Sequence, residues 1–164
     1  SATITIKNEH LTLWGDISVE KLHEIAFANS RRRLPAKVDS LSNILMDMLN
    51  LDDMGIDFAG EFNELKMGCP MYVISNKNLL HGAATVFYSD VLARLSRELG
   101  GDLYVLPSSV HEVIAVNVQV GTPEELVELV KAVNGSEVTN EEQLSDHVYR
   151  FYADTHEIKI ADIA

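Results

Sequence analysis

The spacing of apolar residues predicts two helices at the start of the chain. Asn8 stands before a one-turn pattern that Gly15 ends, and a capping residue with a glycine stop is typical of a short helix. From Ser18 to Arg33 apolar side chains recur every three or four positions. This spacing predicts a longer amphipathic helix that begins at Asp16 or Ser18.

Three further helices are predicted by the same spacing and by their capping residues. Ser40 precedes apolar residues at 41, 44, 45, 48 and 49, and Ser89 precedes a second such pattern that ends at Gly100. Thr122 is followed by proline and by Glu125, the arrangement of a capping box. We expect the helix that begins there to bury its apolar positions 126, 127, 129, 130 and 133.

Short runs of β-branched and aromatic residues predict the strands. Alternation predicts a strand over residues 3–7, and two further runs predict a hairpin of 71–75 with 83–88. Two nearly continuous apolar runs are typical of buried central strands, and two last runs around Asp154 and Thr155 predict a terminal hairpin. These runs are 103–106, 113–116, 148–152 and 157–160.

Paired strands that alternate with helices predict an α+β fold, with a largely antiparallel or mixed sheet of about five to seven strands covered by helices. The chain has 164 residues, the length of one domain, and we expect a single domain over residues 1–164. Residues 51–70 are rich in acids and lack apolar periodicity, so we predict a long acidic loop there.

The net charge of −12 limits the classes of partner. Phosphate backbones and anionic membranes repel such a surface, so we expect neither nucleic acid nor a membrane. The basic cluster of Arg31, Arg32 and Arg33 ends the predicted second helix, where cations interact favourably with the helix dipole. The expected partner is another protein, or a missing N-terminal half of the same protein.

The start of the chain and its single cysteine suggest a cellular setting. Cys69 alone excludes an internal disulfide and a multi-thiolate site, and it suits a reducing compartment. No apolar run reaches the roughly 20 residues that span a bilayer, and we recognise no signal peptide. We therefore expect a cytoplasmic protein. Because Ser1 stands where a methionine would begin a complete chain, we interpret the sequence as part of a longer protein.

A polar turn between the two buried strands is the first candidate site. Ser108, Ser109, His111 and Glu112 lie there, and loops at the ends of central strands often carry functional side chains. Serine and histidine can form a nucleophile–base pair. On a regular strand, however, Ser109 and His111 would be roughly 6.6 Å apart, and Glu112 would face away from His111. The alternative is that the serines bond to turn amides and His111 is a half-buried polar bridge.

Known metal and nucleotide motifs are missing from the sequence. A zinc-protease helix has a second histidine three residues after the glutamate, but Ala115 stands at that distance from Glu112. The acids of residues 47–64 fit no calcium-loop register, and no glycine-rich phosphate loop is found. We therefore expect no cofactor and no metal.

Five stretches together resemble an uncharacterised family of Clostridia-type bacterial proteins, domain of unknown function 5688. They include the Pro-Ser-Ser-Val-His-Glu turn and are residues 6–15, 71–76, 81–84, 103–114 and 144–149. The resemblance covers nearly the whole chain apart from the acidic loop, and it is to the C-terminal half of such proteins. Residues 13–29 are also similar to a second uncharacterised family, of Bacillus-type proteins. The resemblance implies a bacterial cytoplasmic setting and no particular activity.

Two functions are compatible with these features. The first is a non-catalytic binding or regulatory module, favoured by the acidic charge and the aromatic terminal hairpin. The alternative is a small serine/histidine hydrolase-like enzyme, with Ser109 or Ser108 as nucleophile and His111 as base, oriented by an acid elsewhere in the chain. The alternative requires a serine hydroxyl within roughly 3.2 Å of the imidazole, or one water away.

Overall fold

The structure, a computed structural model, describes residues 5–41, 43, 70–107, 109–136 and 138–161, and for residues 129, 132, 133 and 136 it describes the backbone alone. The chain divides into two compact units, residues 1–35 and 36–164. Several predictions fall outside the described residues: Ser108, Cys69, the acidic loop up to residue 69, residues 3–4 of the first strand and 44–49 of the third helix.

The first unit contains the two predicted helices, α1 (Asn8–Leu13) and α2 (Val19–Arg33). Ser18 caps α2 by accepting the backbone N–H of Lys21 at 3.1 Å, as the sequence predicts. The strand predicted over residues 3–7 is wrong where it is described, since residues 5–7 are in neither strand nor helix. Lys7 instead serves as the N-cap of α1, and its N–H donates to Nδ1 of His10 at 2.9 Å.

The second unit is built on a six-stranded sheet in the order β1-β2-β4-β3-β5-β6, with all neighbouring strands antiparallel. The predicted α+β class is therefore confirmed. The strands are β1 (Ala36–Ser40), β2 (Tyr72–Asn76), β3 (Leu103–Leu106), β4 (Val113–Asn117), β5 (Tyr149–Phe151) and β6 (Ile158–Ile160). The helices are α3 (Val91–Leu99) and α4 (Pro123–Ser136), with short 3-10 helices at Ala83–Phe87 and Val118–Val120.

Helix α4 covers one face of the sheet. Its start is the predicted capping box: Thr122 N–H donates to Oε2 of Glu125 at 3.0 Å, and Glu125 N–H donates to Oγ1 of Thr122 at 3.4 Å. The core on this face joins Leu126, Val127 and Val130 of the helix with Tyr104, Leu106 and Val116 of the strands and with Val148, which precedes β5. The opposite side chains of the central strands are also buried, which confirms that β3 and β4 are central.

The structure corrects the interpretation of two segments. The sequence pattern predicts that residues 83–88 pair with β2, but this prediction is wrong, since Ala83–Phe87 is a 3-10 helix. Both edges of β2 are already paired, one with β1 and one with β4, so no edge is left for a third strand. Strand β1 itself has too few apolar residues to be predicted from its pattern, and it is defined by its pairing with β2.

The predicted third helix is confirmed at its first turn, where Leu41 and Asn43 are helical. Asn43 N–H donates to Oγ of Ser40 at 3.2 Å, so Ser40 caps the helix as its sequence position indicates. Within the described part of the chain, no helix combines the length and apolar character needed to cross a membrane.

Candidate functional site

The turn between β3 and β4 carries the predicted site, and its described residues are 107 and 109–112. One side of this turn pairs with a later segment of the chain. The N–H of Val110 donates to the carbonyl of Glu142 at 2.9 Å, and Ser109 forms an antiparallel bridge with Gln143. The turn is therefore held by a segment about thirty residues further along the chain, a pairing that local sequence signals do not predict.

The other side of the turn contacts the segment that follows β2. The carbonyl of His111 accepts two hydrogen bonds, from the N–H of Gly82 at 2.9 Å and from the hydroxyl of Ser75 at 2.7 Å. A Cβ atom at Gly82 would lie 2.1 Å from Oγ of Ser75 and 2.4 Å from the backbone nitrogen of Asn76. Only glycine allows this close approach.

Both ring nitrogens of His111 have partners. Nδ1 accepts the backbone N–H of His81 at 3.0 Å, so Nδ1 carries a lone pair and the proton of the neutral ring is on Nε2. Nε2 lies 3.1 Å from Oε1 of Glu142, and it donates to that carboxylate. The imidazole of His81 lies beside the same ring, with 5.1 Å between the two centroids.

Thr139 holds the carboxylate that orients His111. Its hydroxyl donates to Oε2 of Glu142 at 2.8 Å. This bond, followed by the one from His111, holds the pKa of the Glu142 carboxyl below its usual range. Sequence reasoning missed Glu142, because 31 positions separate it from His111. The one local signal was the spacing of Thr139 and Glu142, which is that of a capping box.

The predicted catalytic residues differ in their burial and in their hydrogen-bond partners. Ser109 is buried, and its hydroxyl accepts the backbone N–H of His111 at 3.0 Å. Glu112 is exposed, and the carboxylate in contact with the ring belongs to Glu142 instead. Ser108 lies outside the described residues. The described geometry is that of a serine bonded to a turn amide and a half-buried histidine that bridges two segments.

The segment of residues 77–82, which we call the leucine loop, has a constrained backbone. Asn76, fully buried at its root, accepts the N–H of Asn78 through Oδ1 and donates to the carbonyl of Leu80 through Nδ2, both at 2.8 Å. Leu79 and His81 have φ values of 55° and 51°, in the left-handed region that side chains rarely adopt. Such conformations cost about 1–3 kcal/mol each and persist only where surrounding contacts impose them.

Four large apolar side chains around this network are at least half exposed. Leu79 and Leu80 are on the leucine loop, Phe87 ends the 3-10 helix, and Leu144 is in the segment that pairs with the turn. We call these four residues the apolar rim. Each lies on a segment that is hydrogen-bonded to residues 107–112. The network around His111 thus joins the segments that carry the four residues of the apolar rim.

The terminal hairpin places its aromatic residues differently. Phe151 is buried, whereas the ring of Tyr152 is contacted by two cations of its own chain. The guanidinium carbon of Arg150 lies 4.9 Å from the ring centroid, and Nζ of Lys159 lies 5.5 Å from it. The ring of Tyr152 is therefore already in contact with cations of the protein itself.

Metal-ligating side chains do not converge in the part of the chain that the structure describes. No group of three or more histidine, cysteine, aspartate or glutamate side chains there has the arrangement of a metal site. His81, His111 and Glu142 interact through a backbone N–H and a ring N–H, as described above.

Comparison with protein families gives a match over most of the chain. The model of DUF5688, described as a family of unknown function, matches residues 1–153. No curated protein and no solved structure matches the chain. Three of the stretches that carry the resemblance, 81–84, 103–114 and 144–149, meet at the turn that bears His111.

Proposed function

We propose that this chain, which belongs to the DUF5688 family of unknown function, is a non-catalytic binding module. It binds a segment of another protein at its apolar rim. The observation that carries the proposal is the leucine loop. There a buried asparagine and a strained backbone hold two leucines in solvent. Strained backbone retained at an exposed position is typical of functional surfaces.

The chemistry of the partner follows from the charge of the surrounding segments. Glu112, Glu141 and Glu142 are close in sequence to rim or turn residues, and Lys77 is the basic residue of the leucine loop. The whole chain has a net charge of −12. A partner segment with apolar anchors flanked by lysine or arginine would match this surface, because opposite charges steer association and exclude acidic competitors.

Selection from a displayed random-peptide library tests this function. Peptides enriched on the immobilised protein should combine leucine, phenylalanine or tryptophan with lysine or arginine. Their affinity, measured by fluorescence polarisation, should fall at least about tenfold in Leu80→Glu, as expected for a residue at the centre of an interface. Ile160→Glu, at an exposed apolar residue of the far edge strand β6, is the matched control and should bind normally.

Two results would contradict the proposal. One is that no peptide is enriched over an unrelated acidic protein. The other is that Leu80→Glu and Ile160→Glu weaken binding equally, since the charge change would then act without reference to the apolar rim. Circular dichroism of both variants shows that each is folded before its affinity is compared.

The proposal includes the bacterial cytoplasmic setting that the sequence resemblance implies. It also includes a partner supplied either by another protein or by an N-terminal half of the same protein. The single cysteine, Cys69, supports a reducing compartment. Fractionation of cells that produce the protein, followed by chemical cross-linking, tests the compartment and identifies the partner.

The hydrolase-like alternative, with Ser109 or Ser108 as nucleophile, His111 as base and Glu112 nearby, stays a prediction. Its decisive measurement is labelling by a fluorophosphonate, which reacts with activated serines. Labelling that is lost in Ser109→Ala or in a Ser108→Ala variant would establish it and would replace the binding module as the function. In the described geometry the ring of His111 would first have to leave His81 or Glu142 before it could accept a serine proton.

A further inference from the structure

The ring of His111 has one nitrogen whose contact depends on its protonation state. Nδ1 accepts a hydrogen bond from the backbone N–H of His81 at 3.0 Å, and a nitrogen can accept only while it carries no proton. Nε2 already carries the proton that it donates to Glu142. A second proton, taken from solvent, therefore has to bind Nδ1. The Nδ1–H group then faces the backbone N–H of His81, and both groups are hydrogen-bond donors.

The groups that face the ring of His111 have opposite effects on its protonation. From the segment after the turn, the carboxylate of Glu142 lies 3.1 Å from Nε2 and attracts an imidazolium. From the leucine loop, the N–H of His81 opposes it, as does the imidazole of His81 when that ring is charged. The hydrogen bonds from Thr139 and then His111 lower the pKa of Glu142, which favours its ionised carboxylate. Protonation is thus electrostatically permitted, but it is incompatible with the His81 hydrogen bond.

We propose that His111 is a pH-dependent latch that holds the leucine loop when neutral and releases it when protonated. Histidine changes charge between about pH 5 and 8, so acidification within this range would break the hydrogen bond from His81. The consequence for partner binding rests on the proposed function, because the loop carries two of the four rim residues. The release itself does not depend on that function.

Release is confined to the loop by the contacts on both sides of His81. At the root of the loop, Asn76 bonds to Asn78 and Leu80 through its side chain. At the end of the loop, the N–H of Gly82 donates to the backbone carbonyl of His111, a group that does not titrate. Between these anchors, His81 is in a strained conformation, with a φ of 51°, that relaxes once the bond to Nδ1 is lost.

Nuclear magnetic resonance of the isolated protein tests the latch directly. At about pH 8, long-range proton–nitrogen correlations should show the Nε2–H tautomer of His111, and the His81 amide should be protected from hydrogen exchange. At about pH 5 the protection factor, corrected for intrinsic exchange, should be roughly tenfold lower, and the loss should follow the titration of His111. A protection factor that is constant across this range, or a neutral His111 with its proton on Nδ1, would overturn the proposal.

Three variants separate the latch from other pH effects. His81→Asn removes the neighbouring imidazole but keeps the backbone N–H and tolerates the left-handed conformation, so the amide at position 81 should still lose protection on acidification. Glu142→Gln keeps an oxygen that can accept the Nε2 proton but removes the charge, so the transition should move to lower pH. His111→Gln should abolish the transition, and a transition that survives in this variant would contradict the latch.

The peptide selected above distinguishes failure of the latch from failure of the binding module. Peptide affinity that falls at about pH 5 in the wild type, but not in His111→Gln, supports control of binding by the latch. Affinity that is unchanged while His81 loses protection overturns that control and leaves the binding module standing. If no peptide is enriched, the binding module fails, and the exchange measurement still decides the latch.

Discussion

Asp102, which precedes β3, accepts two hydrogen bonds at one carboxylate oxygen from Arg150 on β5, at 2.9 Å from Nε and 2.6 Å from Nη2. Its other oxygen accepts the backbone N–H of Ala153 at 2.9 Å. The carboxylate therefore joins the start of a central strand to the terminal hairpin. It is largely buried, with 20% of its side chain exposed against 37% for Arg150.

Asp102→Asn should lower the free energy of unfolding by about 1–2 kcal/mol, as loss of a partly buried, charge-assisted pair does. An amide keeps the shape, but its NH₂ group then faces either the guanidinium or the N–H of Ala153. Urea unfolding measures the loss. Glu157→Gln is the control, because the pair of Glu157 with Lys159 is more than half exposed and should contribute much less to the free energy of unfolding than the Asp102 pair. Equal losses in the two variants would contradict this difference.

The Asp102 contribution should also disappear in acid. The N–H of Ala153 and then Arg150 lower the pKa of Asp102 in the folded protein. A carboxyl whose pKa is lowered in the folded protein contributes its full stabilisation at pH values above its unfolded-state pKa of about 3.9. This contribution to the free energy of unfolding is lost as the pH falls through the folded-state pKa. The difference in unfolding free energy between wild type and Asp102→Asn should therefore shrink below about pH 4. A difference that stays constant from neutral pH into strong acid would show that the charge of Asp102 contributes nothing.

Gly82→Ala should destabilise the protein by about 2 kcal/mol or more, because a Cβ there would lie 2.4 Å from a backbone atom of Asn76 and 2.7 Å from the carbonyl oxygen of His111. Thermal unfolding measures the change. Gly135→Ala is the matched control: apart from its chain neighbours and the backbone of its own helix, no atom lies within 4 Å of its Cβ position, and Gly135 is the penultimate residue of helix α4. That variant should not be destabilised, because alanine favours the helical backbone more than glycine does. A neutral Gly82→Ala would show that the turn and β2 separate easily.

Two leucines distinguish stability from binding. Leu126→Ala, in the core beneath α4, should cost about 2–5 kcal/mol of unfolding free energy. Leu144→Ala, at an exposed residue of the apolar rim, should change it by less than about 0.5 kcal/mol. When the affinity for the selected peptide is measured on folded protein, Leu144→Ala should weaken binding more than Leu126→Ala does. A large stability loss in Leu144→Ala would mean that this residue belongs to the core.

Elements with strong local signals could be predicted from the sequence. The capping box of Thr122 and Glu125 identified the start of α4, and the apolar runs identified β3 and β4. Leu126, Val127 and Val130 are buried as predicted. Ser18 and Ser40 cap their helices as the sequence predicts, whereas the N-cap of α3 is Asp90 and not the predicted Ser89.

The candidate site could be located from the sequence but not assembled. The turn was found because polar residues interrupt two buried strands. The partners of His111 were not found, because His81 and Glu142 approach it from segments 30 and 31 positions away, and strand order decides that approach. The same dependence on tertiary contacts explains residues 83–88, whose β-branched and aromatic composition suggested a strand although β2 had no free edge.

The turn that carries His111 also bears on the order of folding. It closes the β3–β4 hairpin, a short connection, whereas pairing of β2 with β4 and of β3 with β5 requires distant parts of the chain to meet. Short loops close fastest, so we expect this hairpin to form early and the ring of His111 to gain both partners late. In pulse-labelling hydrogen exchange during refolding, amides of the β3–β4 ladder should become protected before that of His81. The hydrogen bonds of the His111 imidazole would then form only once the segments that carry His81 and Glu142 have docked.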